Sequence, residues 1–216
     1  VDHFEWGRLP ATVTAGEGVS GLVTALDDAG FVVPSFDGPL PVSGHAGSPG
    51  QGTLLLSEIF LSGTNWVECS NLSGAPIDVS GWSLVFYDRR SWPAPKTTFL
   101  LPSNSVVAPG GTFTVIEGGR PPGRFPAFAL GVSLDWGVLP VGVPTAVLLL
   151  DGSSHVMDFA CAIDADPSLI TSPVPIPPEA WSGAAIPSTQ VLGRTWQRVG
   201  TCDLNSNQDW VLGAAS

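Results

Sequence analysis

A glycine or a proline interrupts this chain about every fifth residue: 26 glycines and 21 prolines stand among 216 residues. Neither sits well inside a helix. Proline lacks an N–H and clashes with the preceding turn, and glycine gives up the most backbone entropy. What lies between the breakers must therefore be short, and it is apolar rather than charged. Only 12% of residues are charged, about half the usual share of roughly 25%. Lys96 is the single lysine, so little material exists for solvated helix faces. Hydrophobic residues make up 44% of the chain and include 8 tryptophans, enough to bury a core. The balance predicts an all-β protein of many short strands and Gly/Pro-rich turns.

The formal charge of −11 argues against nucleic acid, whose binding depends on Lys and Arg neutralising phosphates. It also disfavours an anionic membrane surface. No apolar run reaches the roughly 18 residues that a membrane-spanning helix needs. No signal peptide is visible and the chain starts at Val1 rather than Met, so a processed product or an excised piece is expected. Low charge with many Ser, Thr, Gly and Pro residues is the composition of a secreted protein. Cys69, Cys161 and Cys202 are odd in number and lack C-x-x-C spacing, which speaks against zinc. A Cys161–Cys202 bridge is open if strands near the two positions pair. Three small buried side chains is the preferred reading.

Two parts separate at "SGHAGSPGQGT" (Ser43 to Thr53), a Gly/Ser/Pro stretch. The expected division is a partial β segment over 1–45, a linker over 46–52 and a β domain over 53–216. In the first part "GLVTALD", the turn "DDAG" and "FVV" read as pieces of three or four strands. In the second, strands are expected at "TLLLSEIF" (53–60), "WVECS" (66–70), "GWSLVFYD" (81–88), "TTFLL" (97–101), "GTFTVIEG" (111–118), "AVLLLD" (146–151), "HVMDFA" (155–160) and "TWQRV" (195–199). Asp151-Gly152 supplies the turn of a hairpin between two of these runs. The one helical hint is "PPEAWSG" near Trp181.

Chemistry is sparse. There is no G-x-S-x-G elbow, P-loop or dinucleotide fingerprint, and no cofactor is expected. His155 follows the Asp-Gly turn and reads as structural. Glu58, Glu68, Asp151 and Asp158 lie in or beside strands, and a pair of polar residues on one sheet face is the preferred reading of Glu58 and Glu68. The sharpest polar cluster is "DLNSNQDW", with Asp203, Asn205, Asn207 and Asp209. Its first three members have the D-x-N-x-N spacing at which oxygens gather round calcium, but no Gly stands at the sixth position and no Glu at the twelfth. Asx turns explain the same residues and are preferred. Trp92 in "RRSWPAPK" lies in a loop beside Arg89 and Arg90, where an exposed indole would stack on a sugar or a partner ring. The alternative is that Trp92 folds back over the sandwich end. Trp82 and Trp210 read as core.

Taken in order, "LLLSEIF", "WVECSNLSGAPIDVSGWSLVFYD", "LPSNSVVAPGGTFTVIEG", "AVLLLDGSSHVMDF" and "RTWQRVGTCDLNSNQDWVLGA" resemble a lamin tail domain over about residues 53–213. The resemblance implies an immunoglobulin-like β-sandwich without catalysis of its own, of the kind carried by secreted or surface-anchored bacterial proteins. It makes Asp78–Trp82 a turn whose indole fills the core. The stretches Arg120–Trp136 and Pro167–Ile186 depart from the family pattern and are expected to form the variable recognition surface. Residues 1–45 resemble the first strands of a bacterial immunoglobulin-like repeat. Such a repeat needs about seven strands, so completion by a later part of the same protein or by another subunit is expected. The expected function is a structural or adhesive module mediating protein–protein contacts at the cell surface or outside the cell. A self-assembling fibre subunit is the alternative. A carbohydrate-binding module using Trp92, Trp136 or Trp181 is another.

Overall fold

The computed structural model describes residues 1, 3–6, 22–34, 54–61, 63–119, 126–136, 143–187, 193–199 and 203–214. They fall into two compact units, Val1–Ala46 and Gly47–Ser216.

In the first unit β1 (His3–Trp6) pairs antiparallel with β2 (Val23–Leu26). The expected turn follows β2. The Asp27 carboxylate accepts from the amides of Ala29 and Phe31, and Gly30 takes the left-handed conformation that closes it. The chain then returns so that the Val33 amide donates to the Ala25 carbonyl. Ala25 and Leu26 are buried, whereas Phe4, Leu22, Phe31 and Val32 are exposed.

The second unit contains β3 (Leu54–Phe60), β4 (Trp66–Asn71), β5 (Ile77–Asp78), β6 (Ser83–Tyr87), β7 (Thr97–Leu100) and β8 (Val106–Val107). It continues with β9 (Thr112–Ile116), β10 (Ala127–Ala129), β11 (Thr145–Leu150), β12 (Val156–Ala162), β13 (Arg194–Arg198) and β14 (Trp210–Ala214). No α-helix occurs among the described residues, and the expected helical turn is one 3₁₀ turn, Pro178–Ala180. A six-stranded sheet in the order β10-β9-β4-β3-β13-β14 faces a four-stranded sheet in the order β12-β11-β6-β7, with β5-β8 as a separate pair. All pairings are antiparallel except β10 with β9.

The core lies between the sheets. Alternation is clean in β4, where Val67 and Cys69 are buried and Trp66, Glu68 and Ser70 are only half-buried. By contrast β11 is buried at every position, which is why its run reads as continuous apolar rather than alternating. Register puts Phe86, Val147 and Leu149 on the face that also carries Asp158, and Val85, Tyr87, Leu148 and Phe159 on the opposite face. That second face is covered by the stretch after β12. Trp181 packs edge-on against Phe159, and the Tyr87 hydroxyl donates to the Ser172 carbonyl at 2.7 Å. Ile186 forms a parallel bridge with Ala162. Pro167–Ile186 therefore contributes buried Ile170, Trp181 and Ile186 to the core.

One expectation is corrected. In the Asp78–Trp82 turn the Asp78 carboxylate accepts from the Ser80 amide and Gly81 is left-handed at φ 78°. The residue that this turn buries completely is Val79. Trp82 is only partly buried, packed on the core's margin.

Candidate functional site

Two polar constellations stand out against the apolar interior. The first is centred on Arg198. Period-two alternation along β13 places Arg198 on the face of Trp196, which points into the sandwich. Its side chain is buried, as are those of Asp158 and Asp209. Asp158, on the opposite sheet, accepts from Arg198 Nη2 at 2.8 Å, and Asp203 accepts from Nη1 at 2.9 Å. Asp209 lies 3.4 Å from Nη1, and Arg198 Nε donates to the Leu56 carbonyl. The guanidinium sits 5.0 Å from the centre of the Trp210 ring. Asp158 also accepts from the amides of Leu56 and Phe159. Burial pushes the Asp158 carboxyl up to about 7, against the downward pull of Arg198 and those two amides. The network thus cross-links the two sheets through one guanidinium.

This geometry reassigns the residues expected to gather round calcium. Asp203 accepts from the Asn205 amide, an Asx turn, and Asn205 is left-handed at φ 52°. Asn207 opens a 3₁₀ turn capped by Ser206, and Asp209 closes the capping box, its carboxylate accepting from the amides of Leu204 and Ser206. Both carboxylates are spent on amide donors and a guanidinium. The preferred reading of turns and caps accounts for these residues. Among the described residues no three His, Cys, Asp or Glu side chains form a metal-holding group.

The second constellation is the loop between β6 and β7. Asp88 directly follows β6 and is buried. One of its oxygens accepts from the amides of Arg90 and Ser91 and the Ser91 hydroxyl, and the other accepts from the Asp135 amide. Burial opposes the charged form, yet these donors and nearby Lys96 hold Asp88 below the usual carboxylate range. Arg89 and Arg90 converge on Asp135, at 3.1 and 2.9 Å. Trp92 is half-buried and lies edge-to-face against Tyr87 with ring centres 6.1 Å apart. The indole therefore folds back on the sandwich rather than standing free beside Arg89 and Arg90. Trp136 and Trp181 are buried, and Trp136 Nε1 donates to the Tyr87 carbonyl. Neither offers a ring face to a sugar.

The family model of the lamin tail domain matches residues 47–160, more than half of the chain. The chain belongs to the lamin tail domain family. No curated protein matches it. The lamin tail domain is an immunoglobulin-like fold of non-enzymatic type. The match stops within β12, yet β13 and β14 complete the six-stranded sheet of this lamin tail domain and supply Arg198.

The strand carboxylates singled out in the sequence have local partners in the lamin tail domain. Glu58 and Glu68 stand opposite each other in the β3–β4 ladder, just after a register shift. Glu58 accepts from Thr195 and Gln197, and Glu68 from Ser57. Asp151 accepts from the amides of Ser153 and His155 and lies 2.9 Å from His155 Nδ1, so His155 fastens the hairpin turn. Cys161 is a buried free thiol, as is Cys69. The preferred reading of small buried side chains therefore describes Cys69 and Cys161, and Cys202, the other half of the alternative bridge, lies outside the described residues. Sequence reasoning missed Asp88, Asp135 and Arg198. The available signal was an arginine at the inward position of "TWQRV", two residues from Trp196.

Proposed function

We propose that the chain is a non-catalytic interaction module of a secreted or cell-surface protein, working through protein–protein contacts. The observation that carries this reading is the first unit. Its two-stranded ladder leaves Phe4, Leu22, Phe31 and Val32 exposed around a cleft of about 430 Å³ lined by Phe4, Leu22 to Ala25, Val32 and Val33. A row of apolar side chains beside a short ladder is the surface on which a further strand or sheet gains most by docking. The self-assembling fibre subunit is the finer version of the same reading, with an identical chain as the partner.

The test is solution mass by light scattering over a wide concentration range, on residues 1–216 beside residues 47–216. Association of the full chain that disappears with the first unit supports the module and its assembling form. Monomers in both cases, with no gain when the unit is offered to partner extracts, would remove the first unit from the function.

A further inference from the structure

We propose that the β6–β7 loop, together with Ser133–Asp135, forms a recognition site for the carboxylate side chains of an acidic protein segment. The loop holds Arg89, Arg90 and Lys96, three of the 8 basic residues in a chain of net charge −11. Asp88, Arg90, Lys96, Ser133, Leu134 and Asp135 line a cleft of about 180 Å³. Two acids lie in that lining against the loop's three cations, which leaves the cluster a formal charge of +1, and the hydrogen-bonding capacity of both acids is taken up within it. Asp88 is saturated by the four donors that order the loop, and Asp135 receives both arginines.

The cations are not saturated. Arg90 spends its backbone amide on Asp88 and Nε on Asp135, while its two terminal nitrogens make no hydrogen bond among the described residues. Its side chain is 74% exposed. Lys96 Nζ stands 3.9 Å from Asp88, beyond hydrogen-bond reach. A guanidinium edge with two unused N–H donors beside an ammonium fits a carboxylate acceptor. Asp135 holds Arg89 and Arg90 in place beforehand, so little side-chain freedom remains to be lost on binding.

An acidic protein segment is favoured over a uronate sugar because no aromatic ring face stands beside these cations to stack on a pyranose. Trp92 is turned onto Tyr87, and Trp136 is buried behind the loop. The inference rests on the reading of the chain as a protein-interaction module but concerns a different unit, so the two fail separately.

The test uses the full chain and the anisotropy of a labelled six-glutamate peptide at 50 mM NaCl. A six-glutamine peptide and a hexagalacturonate serve as comparison probes. The glutamate peptide should bind, and Arg90→Gln and Lys96→Gln should each weaken it at least fivefold with the thermal midpoint unchanged. Arg194→Gln, an exposed cation on β13, should leave binding unaltered. Three results overturn the proposal: no binding, equal binding of the glutamine peptide, or an equal loss in Arg194→Gln, which would make the attraction chain-wide. Hexagalacturonate binding as tight as the peptide would overturn it in favour of a sugar site.

Discussion

Arg198 faces three carboxylates inside the sandwich, so the residue with most leverage on stability is a cation in a core with few others. Asp158 sits on the opposite sheet with its side chain inaccessible to solvent. Removing the guanidinium would leave Asp158 buried without a counter-charge, and breaking a buried pair from one side costs about 3–5 kcal/mol above neutral pH, less where the acid takes up a proton. Arg198→Met should lower unfolding stability by that order in urea titrations, with a smaller loss in Arg198→Met/Asp158→Asn, where nothing charged is stranded at Asp158. The acid itself predicts a pH dependence. Its folded value near 7 lies above the ordinary 3.8, so between those limits the native state binds more protons than the unfolded one. This contribution to stability is full below about pH 4 and is lost as pH rises through 7. Asp158→Asn removes the titration. The wild type should therefore gain on the variant by up to about 4 kcal/mol on going from pH 8 to pH 4, taking about 1.4 kcal/mol per pKa unit. A difference constant with pH would show that Arg198 and the two amides keep Asp158 ionised throughout.

Between elements, the β13–β14 pair shows how a glycine earns its place without unusual backbone angles. Gly213 stands opposite Thr195, and a Cβ there would collide with the carboxamide of Gln197. Gln197 crosses that gap to donate to the Ala214 carbonyl and to Glu58. Gly213→Ala should turn that flexible carboxamide aside, and the loss of its hydrogen bonds, partly offset by alanine's lower unfolded-state entropy, should leave a net cost of about 1 kcal/mol or less. In Gln197→Ala the same glycine substitution should cost almost nothing, so a double-mutant cycle by thermal unfolding reads the coupling directly. No Gly213 signal of this kind exists in the sequence, because the clash is with a residue on a neighbouring strand. What was legible follows the same logic. β3, β4, β6, β7, β9, β11, β12 and β13 are readable because each sets an apolar run or an apolar/polar alternation between turn residues. Two-residue β5 and β8 and three-residue β10 are too short to show a period. β14 reads as a closing motif, not a strand, with Gly213 weakening the signal. The Arg198 network was invisible for a stronger reason: Asp158 is 40 positions from Arg198, and only the pairing of two sheets brings them together.

At the scale of the whole molecule, a net charge of −11 sets opposite salt responses for the two proposed contacts. Self-association through Phe4, Leu22, Phe31 and Val32 is apolar and works against repulsion between like-charged chains. Salt screens that repulsion over a Debye length of about 8 Å at 0.15 M, so raising NaCl from 0.05 to 0.5 M should increase the associated fraction of the full chain. Capture of an acidic segment by Arg89, Arg90 and Lys96 is electrostatic, and the same change should weaken it severalfold. Light scattering and peptide anisotropy on one preparation measure both. If association instead falls with salt in parallel with peptide binding, and Arg90→Gln reduces both, then the basic loop of one copy grips the acidic surface of another. The apolar ladder of the first unit would then have no part in assembly.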